Sequence, residues 1–264
     1  PLPSADTGTT AVWHRFMRGP VVGNFLHDQL EWLAGEGFAL PPAPPDEGAA
    51  PDELETRLLR RCERAGRKDQ GLDVLRWLRA VVHQPLVPLP VSLAQLGQEG
   101  TVLAEMEFWL PVQQLSAPRI DALCRQFILP GMERPALPQR ELHGMLMGFA
   151  DLVFCHAGRY WVLDYKTNHL GADARAYSAE ALAQAMLEHR YDVQAALYLL
   201  ALHRLLRSRL GDAYVPAQQL GGALYYFLRG IDGVTQGMQV LPQSPDLLRL
   251  LDALDAELGE EVQP

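Results

Sequence analysis

The residues best suited to chemistry lie together in residues 148–168, which read GFADLVFCHAGRYWVLDYKTN. This stretch contains Asp151, Asp164 and Lys166, each set among apolar residues typical of strands. Side chains alternate between the two faces of a strand, so Asp164 and Lys166 point the same way. The polar HAGR segment between the two apolar runs predicts a hairpin turn, which would bring Asp151 close to Asp164. We therefore expect three ionisable groups on one patch of an apolar sheet.

Two carboxylates buried side by side are costly unless something neutralises them. A divalent cation does so, and a site rich in oxygen ligands suits Mg²⁺ or Mn²⁺. Such a cation lowers the pKa of a bound water and stabilises charge on a phosphoryl oxygen. Lys166 could position the attacking water or neutralise the phosphate in the transition state. The three residues therefore indicate metal-dependent hydrolysis of a phosphodiester.

Two other interpretations of these residues remain open. Two aspartates and a lysine near strand ends could form an ordinary surface salt bridge, because Asp-x-Lys alone is a common pattern. The apolar runs LVF after Asp151 and WVL before Asp164 argue against a surface position. An oxygenase that uses His27 and a carboxylate is the other alternative. That chemistry prefers two histidines with one carboxylate and leaves Lys166 without a role.

Apolar spacing predicts that the first third of the chain is helical. Residues 1–22 are predicted to form an extended lead-in, and residues 40–51 and 83–93 to form proline-rich connections. Asp52, with Glu55 three residues later, has the pattern of a helix N-cap. The predicted helices cover residues 23–34, 52–62 and 71–82.

The composition then changes to alternating and aromatic segments that predict strands. The predicted strands cover residues 102–111, 145–155, 160–165 and 222–228. A helical region over residues 178–209, broken near 189–192, and a final helix over residues 244–258 complete the pattern. This order predicts an α/β (α+β) fold with a short mixed sheet flanked by helices. We expect an N-terminal helical region at residues 1–100 and a core at residues 101–264.

The composition limits the possible classes of protein. With 264 residues and 48% hydrophobic content, the chain can form one substantial core. No apolar run is long enough to span a membrane, and no secretory signal is visible. Three unpatterned cysteines argue against a disulfide framework and favour the reducing cytoplasm. The net charge of −9 has the wrong sign for tight binding to DNA phosphates.

Several motifs together resemble the C-terminal nuclease domain of the RecB family, the helicase–nuclease subunits of bacterial RecBCD complexes. The motifs are GFADLVF, GRYWVLDYKTNHLG, HRYDVQAALYLLALHRLL and GGALYYFLRG, with RGPVVGNFLHDQLE and EMEFWLP nearer the N-terminus. The resemblance spans most of the chain, and the combination is far more specific than any single motif. It implies a PD-(D/E)xK, restriction-endonuclease-like core.

The resemblance also implies roles for individual residues. It assigns His27, Asp151 and Asp164 as metal ligands, with the backbone carbonyl of Tyr165 completing the metal shell, and Lys166 as the catalytic lysine. Further site residues implied by the family are Gln194 and Tyr198 on one helix face, and an acidic residue on the first core strand, for which Glu105 is preferred over Glu107.

The same resemblance implies a Mg²⁺-dependent deoxyribonuclease that cuts single strands produced by DNA unwinding, with Mn²⁺ or Ca²⁺ able to substitute in the site. The implied partners are DNA, the helicase part of the same polypeptide, and RecC-like and RecD-like subunits. The acidic charge is then explained if a tethered motor delivers the strand, since effective concentration can replace affinity. The rival function is a module that docks the recombinase RecA, through exposed helix faces in residues 178–209 and 244–258.

The remaining polar and aromatic residues have simpler expected roles. His156 and His169 are predicted in loops, and His143 at a strand start is a weak candidate for approaching the metal. Aromatic side chains within predicted strands are expected in the core: Trp109, Trp161, Tyr225 and Tyr226. Five arginines fit either phosphate contacts or a solvated helix face: Arg159, Arg190, Arg204, Arg207 and Arg209.

Overall fold

The computed structural model describes residues 11–42 and 50–259, except for the side chains of Gln113 and Gln114. Five strands form one mixed sheet in the order β1-β2-β3-β4-β5. Strands β3 and β4 are parallel, whereas the other neighbouring pairs are antiparallel. The strands are β1 (Val102–Ser116), β2 (Glu141–His156), β3 (Arg159–Lys166), β4 (Leu220–Phe227) and β5 (Met238–Pro242).

Ten α-helices lie within the described residues and cover both faces of this sheet. The N-terminal group is α1 (Val12–Arg15), α2 (Pro20–Gly35), α3 (Glu53–Arg64), α4 (Gly71–His83) and α5 (Leu93–Glu99). The later group is α6 (Ala117–Phe127), α7 (Ala179–Glu188), α8 (Tyr191–Leu210), α9 (Pro216–Gln219) and α10 (Pro245–Leu258). None of the described helices is long and apolar enough to cross a bilayer.

Each face of the sheet has its own hydrophobic core. The later helices bury one face, where Phe108, Val162 and Tyr225 meet leucines of α8 and α10. The N-terminal helices bury the other face around Trp161 and Tyr226. The N-terminal region therefore shares a core with the sheet, and the predicted arrangement of a mixed sheet flanked by helices is confirmed.

The predicted elements are largely confirmed, including the two-residue turn between β2 and β3 and the break between α7 and α8. The Asp52 capping box is also present, since Asp52 Oδ1 accepts from Glu55 N at 2.8 Å and Glu55 Oε2 accepts from Asp52 N. Five of the described α-helices and strands were not predicted from the sequence: α1, α5, α6, α9 and β5.

The sequence predictions for the lead-in and for Trp109 are wrong. Residues 11–22 are not an extended lead-in, because α1 forms there and Pro20 begins α2. Proline is tolerated at the first position of a helix, since the backbone N–H that it lacks would have no partner within the helix. Residues 1–10 of that lead-in, and residues 43–49 of the proline-rich connection, lie outside the described residues. Trp109 is not in the core: it is 55% exposed, because it faces away from the side of β1 that α8 and α10 cover.

On strands β1 and β2, the alternation of side chains between the two faces of the sheet is interrupted at the same point. Met106 on β1 packs into the core beneath α8, yet Ala104, also even-numbered, packs against the N-terminal core. On β2 the same change separates Ala150 from Leu152. The residue between Ala104 and Met106 is Glu105, whose φ of 47° lies in the left-handed region that side chains rarely adopt. The sheet is thus locally distorted beside Asp151, and such distortion is common at functional sites.

One buried arginine attaches the N-terminal segment to the sheet. Arg229 is 1% exposed and donates to the carbonyls of Trp13, Phe16 and Met17, at 2.6, 3.1 and 2.6 Å. Its Nε donates to the carbonyl of Thr167, just beyond β3, at 3.1 Å. The guanidinium therefore satisfies four carbonyls that would otherwise be buried without a donor.

Replacing Arg229 with alanine is expected to lower the free energy of unfolding by about 3 kcal/mol, because several carbonyls lose a charged donor at once. Urea denaturation of the variant and the parent chain measures this change. Arg249→Ala is the matched control, since that side chain is 70% exposed and pairs only with Asp246 on its own helix. Equal stability of the two variants would contradict this role of Arg229.

Candidate active site

Asp151 and Asp164 lie opposite each other on neighbouring strands. Leu152 pairs with Leu163 in the antiparallel register of β2 and β3, so the next residues outward are the two aspartates. The Asp151 side chain extends the hydrogen bonding between β2 and β3, since its Oδ2 accepts from the backbone N–H of Tyr165 at 2.8 Å. The hairpin predicted from the sequence therefore does bring these carboxylates together.

Asp164 is a buried carboxylate that forms an ion pair with Lys166. The side chain of Asp164 is 3% exposed, and Lys166 Nζ lies 2.6 Å from its Oδ2. Among the described residues, Oδ2 has no hydrogen-bond partner besides this ammonium group. Burial raises the pKa of Asp164 to about 7, and the negative charge of Asp151 adds to this effect, while Lys166 opposes it.

Helix α8 supplies the surroundings of Lys166. The ammonium group donates to Gln194 Oε1 at 3.0 Å and sits 3.8 Å from the centre of the Tyr191 ring. Gln194 Nε2 in turn donates to the hydroxyl of Tyr198 at 2.7 Å. Tyr191, Gln194 and Tyr198 are three and four residues apart, so they share one helix face. Gln194 is thereby oriented with its amide oxygen toward the lysine.

His27 reaches the carboxylates from helix α2 on the other side. Its Nδ1 lies 3.4 Å from Asp151 Oδ2, and its ring meets the Tyr165 ring edge-on at 6.0 Å. Burial alone would lower the pKa of His27, but the hydrogen bond and charge of Asp151 outweigh it and raise the pKa. His27 thus contacts the Asp151 carboxylate of the site.

Glu105 lies on the β1 side of the same patch. Ala104 pairs with Leu152 and Met106 with Ala150, which places Glu105 opposite Asp151. The Glu105 carboxyl contacts Glu31 of α2, and the pKa of Glu31 is raised, by burial first and by Glu105 second. Glu107 stands two residues further out, paired with Phe149. Of the two candidate acids, the fold therefore brings Glu105 to the site.

Three residues of this site were not singled out from the sequence for it: Tyr191, Tyr225 and Glu31. The hydroxyl of Tyr225 donates to Gln194 Oε1 at 3.3 Å and to the Tyr191 carbonyl at 3.1 Å. The i, i+3, i+7 spacing of Tyr191, Gln194 and Tyr198 could have revealed the first residue. No local pattern identifies Glu31, because its role depends on how α2 docks against β1.

A family model described as the PD-(D/E)XK nuclease superfamily matches residues 12–263, which is nearly the whole chain. This chain belongs to the PD-(D/E)XK nuclease superfamily. The aspartates on adjacent strands, with a lysine two residues after the second, match the acidic pair and the lysine for which the superfamily is named. The fold class inferred from the resemblance is therefore confirmed.

The chain is also similar to relatives named RecBCD enzyme subunit RecB. It is 41% identical to the protein of Escherichia coli K12 over 252 residues, which is 94% of this chain and 20% of that protein. It is 51% identical to the Mycobacterium tuberculosis H37Rv protein over 257 residues, 88% of this chain and 22% of that protein. The chain thus spans about a fifth of the length of the curated relatives it matches.

The donor set of this PD-(D/E)XK site fits a divalent cation. In residues 11–42 and 50–259, no three His, Cys, Asp or Glu side chains are arranged to hold an ion as they stand. The reason is local, because Asp151 engages His27 and Tyr165, while Lys166 occupies Asp164. Two adjacent carboxylates, one with a buried oxygen that has no hydrogen-bond partner besides Lys166 among the described residues, are nonetheless the ligands that hard cations prefer.

The other histidines lie outside the superfamily site. His143 is eight residues along β2 from Asp151, which is about 26 Å at the rise of a strand. It is therefore no ligand of this site. His156 is the last residue of β2 and not a loop residue as predicted, because the strand continues to its pairing with Arg159. His169 lies in the predicted loop after β3.

Four of the five arginines have partners within the protein. Arg190 bridges Asp121 and Asp192, and Arg204 is 5% exposed against Asp255. Arg207 shares Asp255, and Arg159 donates to the carbonyls of Ala217 and Leu220. Arg207 and Arg209 are exposed residues of α8, as expected for a solvated helix face.

Proposed function

We propose that this chain is the Mg²⁺-dependent deoxyribonuclease domain of a RecB-like helicase–nuclease. It would hydrolyse phosphodiester bonds of single strands that DNA unwinding produces during double-strand break repair and recombination. The observation that carries this proposal is the buried Asp164, opposite Asp151 and 2.6 Å from Lys166. The similarity to relatives named RecBCD enzyme subunit RecB supports the proposed role in double-strand break repair and recombination.

The proposed ligands of the cation are His27, Asp151, Asp164 and the backbone carbonyl of Tyr165. When bound, the cation supplies a more acidic attacking water and stabilises charge on a phosphoryl oxygen. Because Asp164 is held in a low-dielectric pocket, it attracts a cation more strongly than an exposed carboxylate would. These ligand assignments stay predictions.

Lys166 is proposed to neutralise the developing charge on the phosphate. Gln194 Oε1 and the ring of Tyr191 hold its ammonium group beside Asp164. Tyr198 fixes the Gln194 amide, so Gln194 and Tyr198 act as positioning residues for the lysine. Glu105, opposite Asp151 and in contact with Glu31, is proposed to orient a water or a second cation at the β1 side.

The division of the chain at residues 100 and 101 stays part of this proposal. The region before it would supply His27 through α2, and the region after it would supply both carboxylates and the lysine. The three cysteines, Cys62, Cys124 and Cys155, are all unpaired, which is consistent with the proposed location in the cytoplasm.

The proposed partners are DNA, the helicase part of the same polypeptide, and RecC-like and RecD-like subunits. Delivery by the helicase would compensate for the net charge of −9, which disfavours independent binding. The alternative role of docking RecA is not favoured, because the family that the chain matches is a nuclease superfamily.

Removal of divalent metal tests the proposed chemistry. The 264-residue chain is expected to degrade a labelled single strand of DNA in Mg²⁺ or Mn²⁺, and to stop when EDTA is added. Excess Mg²⁺ should then restore cleavage, because the apoprotein keeps its fold through the two cores. Gel analysis of products over time is the measurement. Equal rates in EDTA and in Mg²⁺ would rule out a metal-dependent nuclease.

A further inference from the structure

A strongly basic groove lies on helices α2 and α3. Four arginines of α3 have i, i+3, i+4, i+7 spacing, which places them on one helix face: Arg57, Arg60, Arg61 and Arg64. With Trp32 of α2 they line a groove of about 200 Å³. Such a concentration of cations contrasts with the net charge of −9 of the whole chain.

Two of these arginines are held in place by the indole of Trp32. The guanidinium carbons of Arg57 and Arg61 lie 5.3 and 4.8 Å from the centre of its ring. Arg57 also pairs with Glu36, and Arg61 Nε donates to Gln29 Oε1 at 2.7 Å. These contacts fix the positions of the two guanidinium groups before any ligand arrives.

The other two arginines are available to a ligand. Arg60 and Arg64 are exposed, and within the described part of the chain no carboxylate lies close enough to form an ion pair with either. Each therefore presents a planar guanidinium group with five N–H donors, a geometry that matches a phosphate group.

The groove begins beside the active site. Arg61 Nη2 donates to the carbonyl of Asp28 at 3.3 Å, and Asp28 follows His27 directly in the chain. Trp32 lies five residues beyond His27 on the same helix, which is about 8 Å along the helix axis. Five residues also turn the helix by about 140°, so a ligand in the groove would pass around α2 to reach His27 and the carboxylates.

We propose that this groove binds the phosphate backbone of the single strand of DNA that reaches the active site, an inference that rests on the proposed deoxyribonuclease function. Guanidinium groups match phosphate geometry, and contacts to phosphates carry no sequence information, so binding would be independent of sequence. The occupant is a single strand because the proposed function cuts single strands that unwinding produces. Arg60 and Arg64 are its principal phosphate contacts.

The test is binding of the 264-residue chain to a labelled oligothymidylate in EDTA, measured by fluorescence anisotropy over a range of salt concentrations. Arg60→Gln combined with Arg64→Gln is expected to weaken binding about tenfold at low salt and to reduce the salt slope by about 1.4, since each lost contact to a single strand removes about 0.7. Arg60→Lys with Arg64→Lys keeps the charge and should retain most of the affinity.

The matched control is Arg209→Gln with Arg249→Gln, which removes the same charge from the ends of α8 and α10. This variant should bind like the parent chain. Unchanged oligothymidylate binding by the Arg60 and Arg64 variant would overturn the proposal, as would an equal loss in the control. A loss confined to duplex DNA would overturn the assignment to a single strand.

Cleavage assays of the same proteins separate this proposal from the proposed function. If the parent chain binds through Arg60 and Arg64 but cuts no DNA in Mg²⁺, the groove stands and the nuclease assignment fails. If it cuts in Mg²⁺ while the variant binds and cuts like the parent, the nuclease stands and the groove fails.

Discussion

Replacing Asp164 with alanine is expected to reduce metal-dependent DNA cleavage by about 10³-fold or more, because the proposed site loses a principal ligand and the charge that positions Lys166. The fold should remain, since Asp164 makes no hydrogen bond that holds the two cores together. Initial rates on a labelled single strand at saturating Mg²⁺ measure the loss. Circular dichroism and thermal melting check that the variant is folded.

Asp164→Asn separates the chemical role from the structural one. The asparagine keeps the shape but not the charge, so we expect the same loss of cleavage. Burial raises the pKa of Asp164 in the folded chain to about 7, so the native state binds a proton that the unfolded state has released. In EDTA the parent chain should therefore lose stability as pH rises from about 4 to about 7, whereas the variant should lose less. Undiminished cleavage by either variant would refute the assigned role.

Replacing Asp192 with alanine is expected to lower the free energy of unfolding by about 3 to 5 kcal/mol, because it leaves a buried guanidinium group without its counter-charge. Arg134 Nη1 lies 2.7 Å from Asp192 Oδ2, and both side chains are 0% exposed. Arg134 also donates to the carbonyls of Ile128 and Leu129, at 2.8 and 2.6 Å. It is therefore held in place and cannot turn toward solvent when the carboxylate is removed.

An exposed ion pair provides the control for this measurement. Glu63 and Lys68 are 2.8 Å apart with side chains 54% and 76% exposed, so Glu63→Ala should leave the free energy of unfolding almost unchanged. A second comparison uses the double variant that combines Asp192→Leu with Arg134→Met. Removing both charges should recover much of the loss, since apolar residues of similar size often replace a buried pair without cost. A loss in Asp192→Ala no larger than that in the control would contradict this account.

The sequence predicted the centre of the site because its evidence is local. Asp151, Asp164 and Lys166 lie on two strands joined by a two-residue turn, and strand alternation with one hairpin suffices to bring them together. Gln194 and Tyr198 are likewise one helical turn apart. In each case the relevant residues are close in the chain, so periodicity alone predicts their geometry.

The parts that could not be predicted depend on packing between distant elements. The contact of His27 with Asp151 requires α2 to dock on the sheet, so only the family resemblance suggested it. The alternation of side chains on β1 could not show which of Glu105 and Glu107 reaches the site, because the interruption of the alternation at Glu105 arises from tertiary packing. Trp109 is a large apolar residue of the kind that is usually buried, but its exposure depends on which helices cover that side of β1.

The four carbonyls bound by Arg229 give the site a thermodynamic property. His27 comes from the N-terminal segment that this arginine anchors, whereas the carboxylates come from the sheet, so the site exists only while the two are docked. A cation held by both sides would strengthen their docking by the same free energy by which docking strengthens its own binding. Metal affinity and the opening of the N-terminal segment would therefore be reciprocally linked: a change that weakens the docking of the segment would weaken metal binding by the same free energy.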